Sequence, residues 1–398
     1  MLLNRFLRYV QIDTQSDENS SETPSTKKQY DLLKLLKKEL DDLGVKNELD
    51  EYGRLYGWLE GNNDYPRIGL CAHVDTALEA SGKDVKPQVI ENYNGADIQL
   101  GDSRLYLSRS EFKKLNDCYG KTLITTDGTT LLGADDKAGL AIIMETIEKY
   151  QQIPVNSRHP MSILFTPDEE IGRGPEHFDA EKYGAKFGYT VDGDDPKFVS
   201  IENFNAKAAD VEITGKSIHP GSAKGVMVNA NLVLTTFLSY LPKKKIPAKT
   251  AGRQGFIHVC DISGGVESAH AHIILREHDA NKLEKLVDDL AVAKLKTERK
   301  HPHAKIDVTV KEQYRNMVEI INEKPECKEH LEKVYQKMGL TLEYDPIRGG
   351  TDGATFSFKG CPSPNIGTGS YNHHGRYEFA VLEEMEQLVD ICTEIYKL

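Results

Sequence analysis

Apolar and polar positions follow two periods along the chain, one helical and one strand-like, and the order of the elements they predict changes near residue 206. Residues 28–43 (KQYDLLKLLKKELDDL) carry leucines at helical spacing, with Gly44 placed to end the helix. The run 68–76 (IGLCAHVDT) reads as a buried strand entering a polar loop. Residues 77–120 are polar, with several Gly and Asp, and predict short hairpins rather than core. Residues 131–150 (LLGADDKAGLAIIMETIEKY) predict a turn and then a helix with an apolar face. The runs 161–172 (MSILFTPDEEIG) and 187–193 (FGYTVDG) are strands that end in acidic residues. Strands that deliver acidic and His side chains at one end, alternating with helices, predict an α/β sheet with ligands at its carboxyl edge.

After residue 206 the order becomes strand (206–216), helix (226–241), a strand pair (255–265 and 269–279), helix (281–298) and a closing strand (304–314). This is the ferredoxin-like split βαβ signature. Beyond about residue 316 the helix-rich pattern resumes. The pattern therefore predicts a discontinuous α/β domain, residues 1–205 and 316–398, with an inserted α+β domain at 206–315.

Composition narrows the class. The chain has 398 residues, enough for two buried cores, and 39% hydrophobic with 28% charged residues is a globular balance. The net charge of −12 argues against nucleic acid or an anionic membrane as the main partner. The first residues show no sustained apolar segment followed by a cleavage site, and no 18 consecutive residues are apolar. Six scattered cysteines without a CxxC pair are neither a disulfide framework nor a thiolate zinc site, and a reducing cytoplasm is expected.

Four motifs carry chemistry. In His73-Val74-Asp75 the two polar side chains lie on one face, so Asp75 can hydrogen-bond the far nitrogen of a metal-bound His73; taken alone, HxD is a weak signal. In Gly133-Ala134-Asp135-Asp136-Lys137, adjacent carboxylates at a helix start read equally well as a cap with its first-turn companion or as a bridge between two cations. Asp168-Glu169-Glu170 places three carboxylates directly after an apolar strand, between Pro167 and Gly172. Such crowding needs a cation or a shared proton. A Glu-Glu pair can divide the work, one ligating metal and the other acting as general base. Asp192 and the Tyr371-Asn372-His373-His374-Gly375 turn complete an inventory of two His and three carboxylate ligands that matches a pair of Zn²⁺ ions.

The order HVDT, GADDKAG, TPDEEIG, TVDG and YNHHG resembles, over nearly the whole chain, the dinuclear zinc peptidase family that includes carboxypeptidase G2, and within it the peptidase T branch of tripeptide aminopeptidases. The resemblance implies that His73 and Asp192 bind one zinc, that Glu170 and His374 bind the other, and that Asp135 bridges them. It makes Asp75 the carboxylate behind His73 and Glu169 the general base. His219 resembles an oxyanion-stabilising residue, while Arg276, Arg348, Gly349-Gly350-Thr351 and Asn229 resemble substrate-anchoring positions. Two histidines stand where the family pattern has one; His374 is chosen because it precedes the glycine, with His373 the alternative. A small peptide substrate follows, and a homodimer through the small domain is possible by analogy. Rival readings are a dipeptidase, carboxypeptidase or deacylase on the same centre, a metal-dependent regulatory or structural protein, and a protein that only binds peptides.

Overall fold

The computed structural model describes residues 1–398, which form two compact units. The first comprises residues 1–201, 317–345 and 351–398, and the second 202–316 with 346–350.

The first unit is built on an eight-stranded mixed sheet. Its order is Lys46–Leu49, Leu55–Leu59, Met161–Thr166, Ile68–His73, Phe187–Val191, Asn365–Ile366, Phe198–Ser200 and Glu343–Tyr344. Ile68–His73 runs parallel to both Met161–Thr166 and Phe187–Val191. All three are buried at every position, which is why they appear in the sequence as unbroken apolar runs. Register does the rest: His73 pairs with Thr166, and Val191 with Ile366, so the residues that follow these strands leave the sheet at one carboxyl edge.

The helix Ala134–Gln151 packs on Ile68–His73 and is flanked by Leu2–Val10 and Leu382–Ile395, so it is buried nearly all round. Leu2–Val10 turns Leu2, Phe6, Tyr9 and Val10 inward. That helix and the strands Lys46–Leu49 and Leu55–Leu59 are absent from the pattern-based expectations.

The segment 77–120 departs from expectation. It does contain short strands (Gln88–Ile90, Ile98–Gln99, Tyr106–Leu107), but it also has a core of its own. Tyr93, Leu100, Leu107, Leu115 and Cys118 pack with Leu123, Tyr371, Phe379 and Val381. Gln88–Ile90 joins a four-stranded sheet with Leu123–Thr125, Phe379–Val381 and Ser370–Tyr371. The apolar residues here are few and widely spaced, and those that build this core are separated by polar positions, while Leu78, Val89, Tyr106 and Tyr119 stay exposed.

The second unit has the order Asn205–Thr214, helix Ala230–Ser239, Phe256–Gly264, Ser268–Glu277, helix Ala280–Lys300, Lys305–Tyr314. The sheet runs Phe256–Gly264, Ser268–Glu277, Asn205–Thr214, Lys305–Tyr314, antiparallel throughout, which is the ferredoxin-like arrangement. One sheet face supplies Val211, Ile213, Ile273 and Leu275 to a core completed by Val233, Phe237, Leu283, Leu286 and Leu290 of the helices. The first helix starts at Ala230 rather than 226, because the Asn229 side chain caps it by accepting the Asn231 N–H at 3.0 Å. Residues 346–350 belong to this unit: Ile347 donates its N–H to the carbonyl of Glu202, and Phe204 donates to that of Gly349.

Candidate metal centre

Two groups of side chains converge at the carboxyl edge of the first unit's sheet. His73, Asp135 and Asp192 offer ligand atoms that all lie within 4.8 Å of one another, and so do Asp135, Glu170 and His374. Asp135 is common to both.

The approach to Asp135 explains its placement. Asp135 and Asp136 have non-helical backbone angles inside the first turn of Ala134–Gln151. Asp136 turns inward: its Oδ1 accepts the Gly139 N–H at 3.2 Å and its Oδ2 the His73 N–H at 3.1 Å. Asp136 thus acts as a cap, and Asp135 is left facing the cluster. Asp135 Oδ1 lies 3.0 Å from His73 Nε2, and its Oδ2 lies 3.4 Å from His374 Nε2.

The acidic triplet also divides. Asp168, in the left-handed region at φ 60°, is buried and accepts from the Ser25 N–H and from Gln29 Nε2, both at 2.7 Å. Glu170 Oε2 lies 3.1 Å from His374 Nε2. Glu169 contributes to neither ligand group. Asp75 sits beneath both glutamates, its carboxylate accepting the N–H of Glu169 at 3.0 Å and of Glu170 at 3.2 Å while Oδ1 lies 3.3 Å from His73 Nδ1. Of the adjacent histidines, His374 belongs to a ligand group. His373 Nδ1 lies 3.7 Å from Asp135 and 3.6 Å from Asp194, and its Nε2 lies 2.9 Å from the Ser370 hydroxyl.

The electrostatics ask for positive charge. Burial, together with the neighbouring Asp135, pushes the carboxyls of Glu170 and Asp192 upward, Asp192 to about 6; burial likewise raises Glu169, with His73 opposing. Asp135 is held well below its ordinary range despite burial, by His373, His374 and His73. Glu170 Oε1 is buried without a hydrogen-bond partner. An orphaned carboxylate oxygen, two imidazoles turned inward by Nε2 and a shared aspartate form a donor set that fits divalent cations bound by mixed nitrogen and oxygen ligands.

Two buried acids beside the centre carry no motif in the sequence reading. Glu378 accepts the N–H groups of Leu132, Gly133 and Asp135 at 2.8, 2.7 and 2.9 Å, and so holds the loop that presents Asp135. Asp352 accepts from the Thr166 hydroxyl at 2.8 Å and is raised to about 7, chiefly by burial.

The remaining expected positions lie in the second unit, apart from Thr351 at its boundary. His219 is exposed, and its Nδ1 accepts the Gly221 N–H at 3.1 Å. Arg276 donates Nη1 to the carbonyls of Lys207 and Leu275 and lies 5.2 Å from the Tyr314 ring centroid. Arg348 donates to the carbonyls of Gly252 and Gln254 and to the Thr250 hydroxyl, so its guanidinium holds the 250–254 loop. Asn229 is the helix cap described above. Thr351 caps Asp352–Phe358.

Residues 127–397 match the model of Peptidase family M20/M25/M40. A protein named peptidase T from Staphylococcus carnosus is 44% identical over 396 residues, covering 99% of this chain and 97% of its own. Among solved structures, a tripeptidase from Staphylococcus aureus aligns over 99% of this chain and 96% of its own, with a TM-score of 0.75 and 24% identity. A dinuclear metal binding peptidase of the M20 family from Bacillus subtilis aligns over the same shares, with a TM-score of 0.66 and 11% identity. With a family model matching most of its length and a full-length relative at this identity, the chain belongs to peptidase family M20/M25/M40, as a metallopeptidase of its peptidase T branch.

Proposed function

We propose that the chain is a tripeptide aminopeptidase, cutting the first peptide bond of free tripeptides with two zinc ions at the centre and Glu169 as general base. The observation that carries this reading is the pair of ligand groups sharing Asp135, with Glu169 beside Glu170 and outside both. His73, Asp135 and Asp192 would hold one ion, and Asp135, Glu170 and His374 the other. When bound, such a pair polarises the scissile carbonyl and lowers the pKa of water in the site. Imidazole and carboxylate donors suit zinc.

The chain's own residues do the rest. A Glu169 carboxylate oxygen takes a proton from the attacking water as the new C–O bond forms. It then delivers that proton to the amide nitrogen as the C–N bond breaks, releasing the first amino acid and a dipeptide. Asp75 fixes the Glu169 backbone during both transfers. His219 would donate to the carbonyl oxygen as it gains charge. Arg276, Arg348 and Asn229 are the candidates to hold the far end of the peptide. A guanidinium matches a C-terminal carboxylate bidentately, and Arg276 is favoured because Arg348 already holds three groups of its own unit. All six cysteines are free, five of them buried, which supports placing the enzyme in a reducing cytoplasm.

The test joins metal analysis to turnover. We expect two zinc ions per chain and a kcat/KM for a free tripeptide well above those for its N-acetylated, C-amidated and one-residue-longer forms. Anchoring both ends lets only one length place the first carbonyl correctly, and a misplacement of about 1 Å can cost roughly 10²-fold. Equal cleavage of the acetylated or amidated peptide overturns two-ended anchoring. Preference for a dipeptide, or for release of the C-terminal residue, moves the assignment to the dipeptidase or carboxypeptidase reading. Metal without turnover of any peptide leaves the binding or regulatory reading.

A further inference from the structure

We infer that Glu79 is a positioning residue for His374, and through it for the second cation; the inference rests on the two-cation reading above. His73 and His374 meet the cluster in a similar way, although His73 Nδ1 also faces the Asp75 carbonyl at 3.1 Å. Each turns Nε2 inward, His73 to Asp135 at 3.0 Å and His374 to Glu170 at 3.1 Å. Each then has a carboxylate at its other nitrogen: Asp75 Oδ1 lies 3.3 Å from His73 Nδ1, and Glu79 Oε1 lies 3.3 Å from His374 Nδ1. A carboxylate at Nδ1 fixes the tautomer that leaves the Nε2 lone pair for a cation and sets the plane of the ring.

His374 depends on such a partner more than His73 does. His73 ends a fully buried strand, so packing alone restricts its ring. His374 lies in a loop at φ 63°, with 42% of its side chain exposed, and little but its polar contacts orients it. Glu79 is exposed, yet the loop that carries it is pinned. Gln15 Nε2 donates to the carbonyls of Ala77 and Ala80, both at 2.9 Å, and Gln15 bridges to Thr76. The Thr26 hydroxyl in turn donates to the Gln15 carbonyl at 2.8 Å. The segment that presents Asp75 therefore also presents Glu79, four residues on, so one loop orients both histidines.

The experiment is zinc titration of the full chain under a series of buffered free-zinc concentrations, for wild type, Glu79→Ala and Glu79→Gln. Wild type should bind two ions. Glu79→Ala should keep one at wild-type affinity and bind the other about 10- to 100-fold more weakly, as for other partners of metal-bound histidines. Glu79→Gln should fall between, since its amide oxygen still accepts from Nδ1. Gln15→Ala should show a smaller loss at the same ion, and saturating zinc should restore kcat in every variant. Two ions held by Glu79→Ala at wild-type affinity overturn the inference. So does a raised KM with both ions retained, which would make Glu79 a contact for the peptide amine. A wild type that binds fewer than two ions fails the two-cation reading instead, and is told apart because no variant is needed to see it.

Discussion

Asp75 holds the backbone of Glu169, its carboxylate accepting that residue's N–H at 3.0 Å while also reaching His73 Nδ1. One buried side chain thus positions both the residue proposed as a ligand of the first ion and the residue proposed as general base. Oδ1 serves the Glu169 N–H and His73 alike, so Asp75→Ala removes both contacts at once. We expect first-ion affinity to fall roughly 10- to 100-fold, and kcat at saturating zinc to remain about 10²-fold low because Glu169 is displaced. Full recovery of kcat with added zinc would confine Asp75 to the metal side.

Glu169 and Glu170 should separate cleanly. Glu169→Gln is expected to retain both ions and lose at least roughly 10²-fold in kcat, since an amide cannot take the proton. Glu170→Gln should instead weaken retention of the second ion, which metal analysis after dialysis reads directly. The reverse pattern would exchange the two roles.

What the sequence made legible follows from where each signal lives. Strands buried on both faces are unbroken apolar runs, and the acidic or His residues that end them mark the sheet edge; His73, Glu170 and Asp192 could all be placed that way. The second unit was equally readable, because a sheet covered on one face by two helices keeps both periods clean. Signals failed where contacts span the chain. Glu378 lies 243 residues from Asp135, and only the folded loop brings them together. Gly139 of the GADDKAG motif carries no ligand, yet a Cβ there would stand 2.1 Å from the Val191 carbonyl, next to Asp192. That glycine allows the helix to approach the central strand, a reason no spacing reveals. The inward residues of 77–120 were hidden by the polar residues between them.

A pH dependence of stability is expected far from the centre. His159 and His330 meet edge-on at 5.4 Å between ring centroids, with hydrogen bonds to the carbonyls of Pro66 and Ile395. Burial holds both imidazoles below their ordinary 6.5, and Lys333 adds to the effect at His330. Between the folded and unfolded values the unfolded chain binds more protons. The contribution of this pair is therefore complete above about pH 6.5 and is lost as pH falls through the lowered folded values. Thermal midpoints measured from pH 7.5 to 5 should fall less steeply in the variant carrying both His159→Gln and His330→Gln than in wild type. Parallel curves would remove the pair from the acid response.

Glu378 tests whether the bridge is built by the loop that carries it. Its buried carboxylate takes three backbone N–H groups, and the last of them belongs to Asp135 itself. Two oxygens with several lone pairs can serve three donors, whereas a glutamine offers one oxygen and points its own N–H₂ at a backbone N–H. Glu378→Gln should therefore leave at least one buried donor unpaired, costing about 1–3 kcal/mol and lowering the thermal midpoint of the metal-free protein. Asp135 belongs to both ligand groups, so loosening its loop should weaken both ions together. That signature separates Glu378 from Glu79, whose loss should touch the second ion alone. Zinc titration decides it: two affinities that fall in step place the control of Asp135 in Glu378, while a loss confined to one ion, or a stability loss with both affinities intact, would show that the bridge holds its place without it.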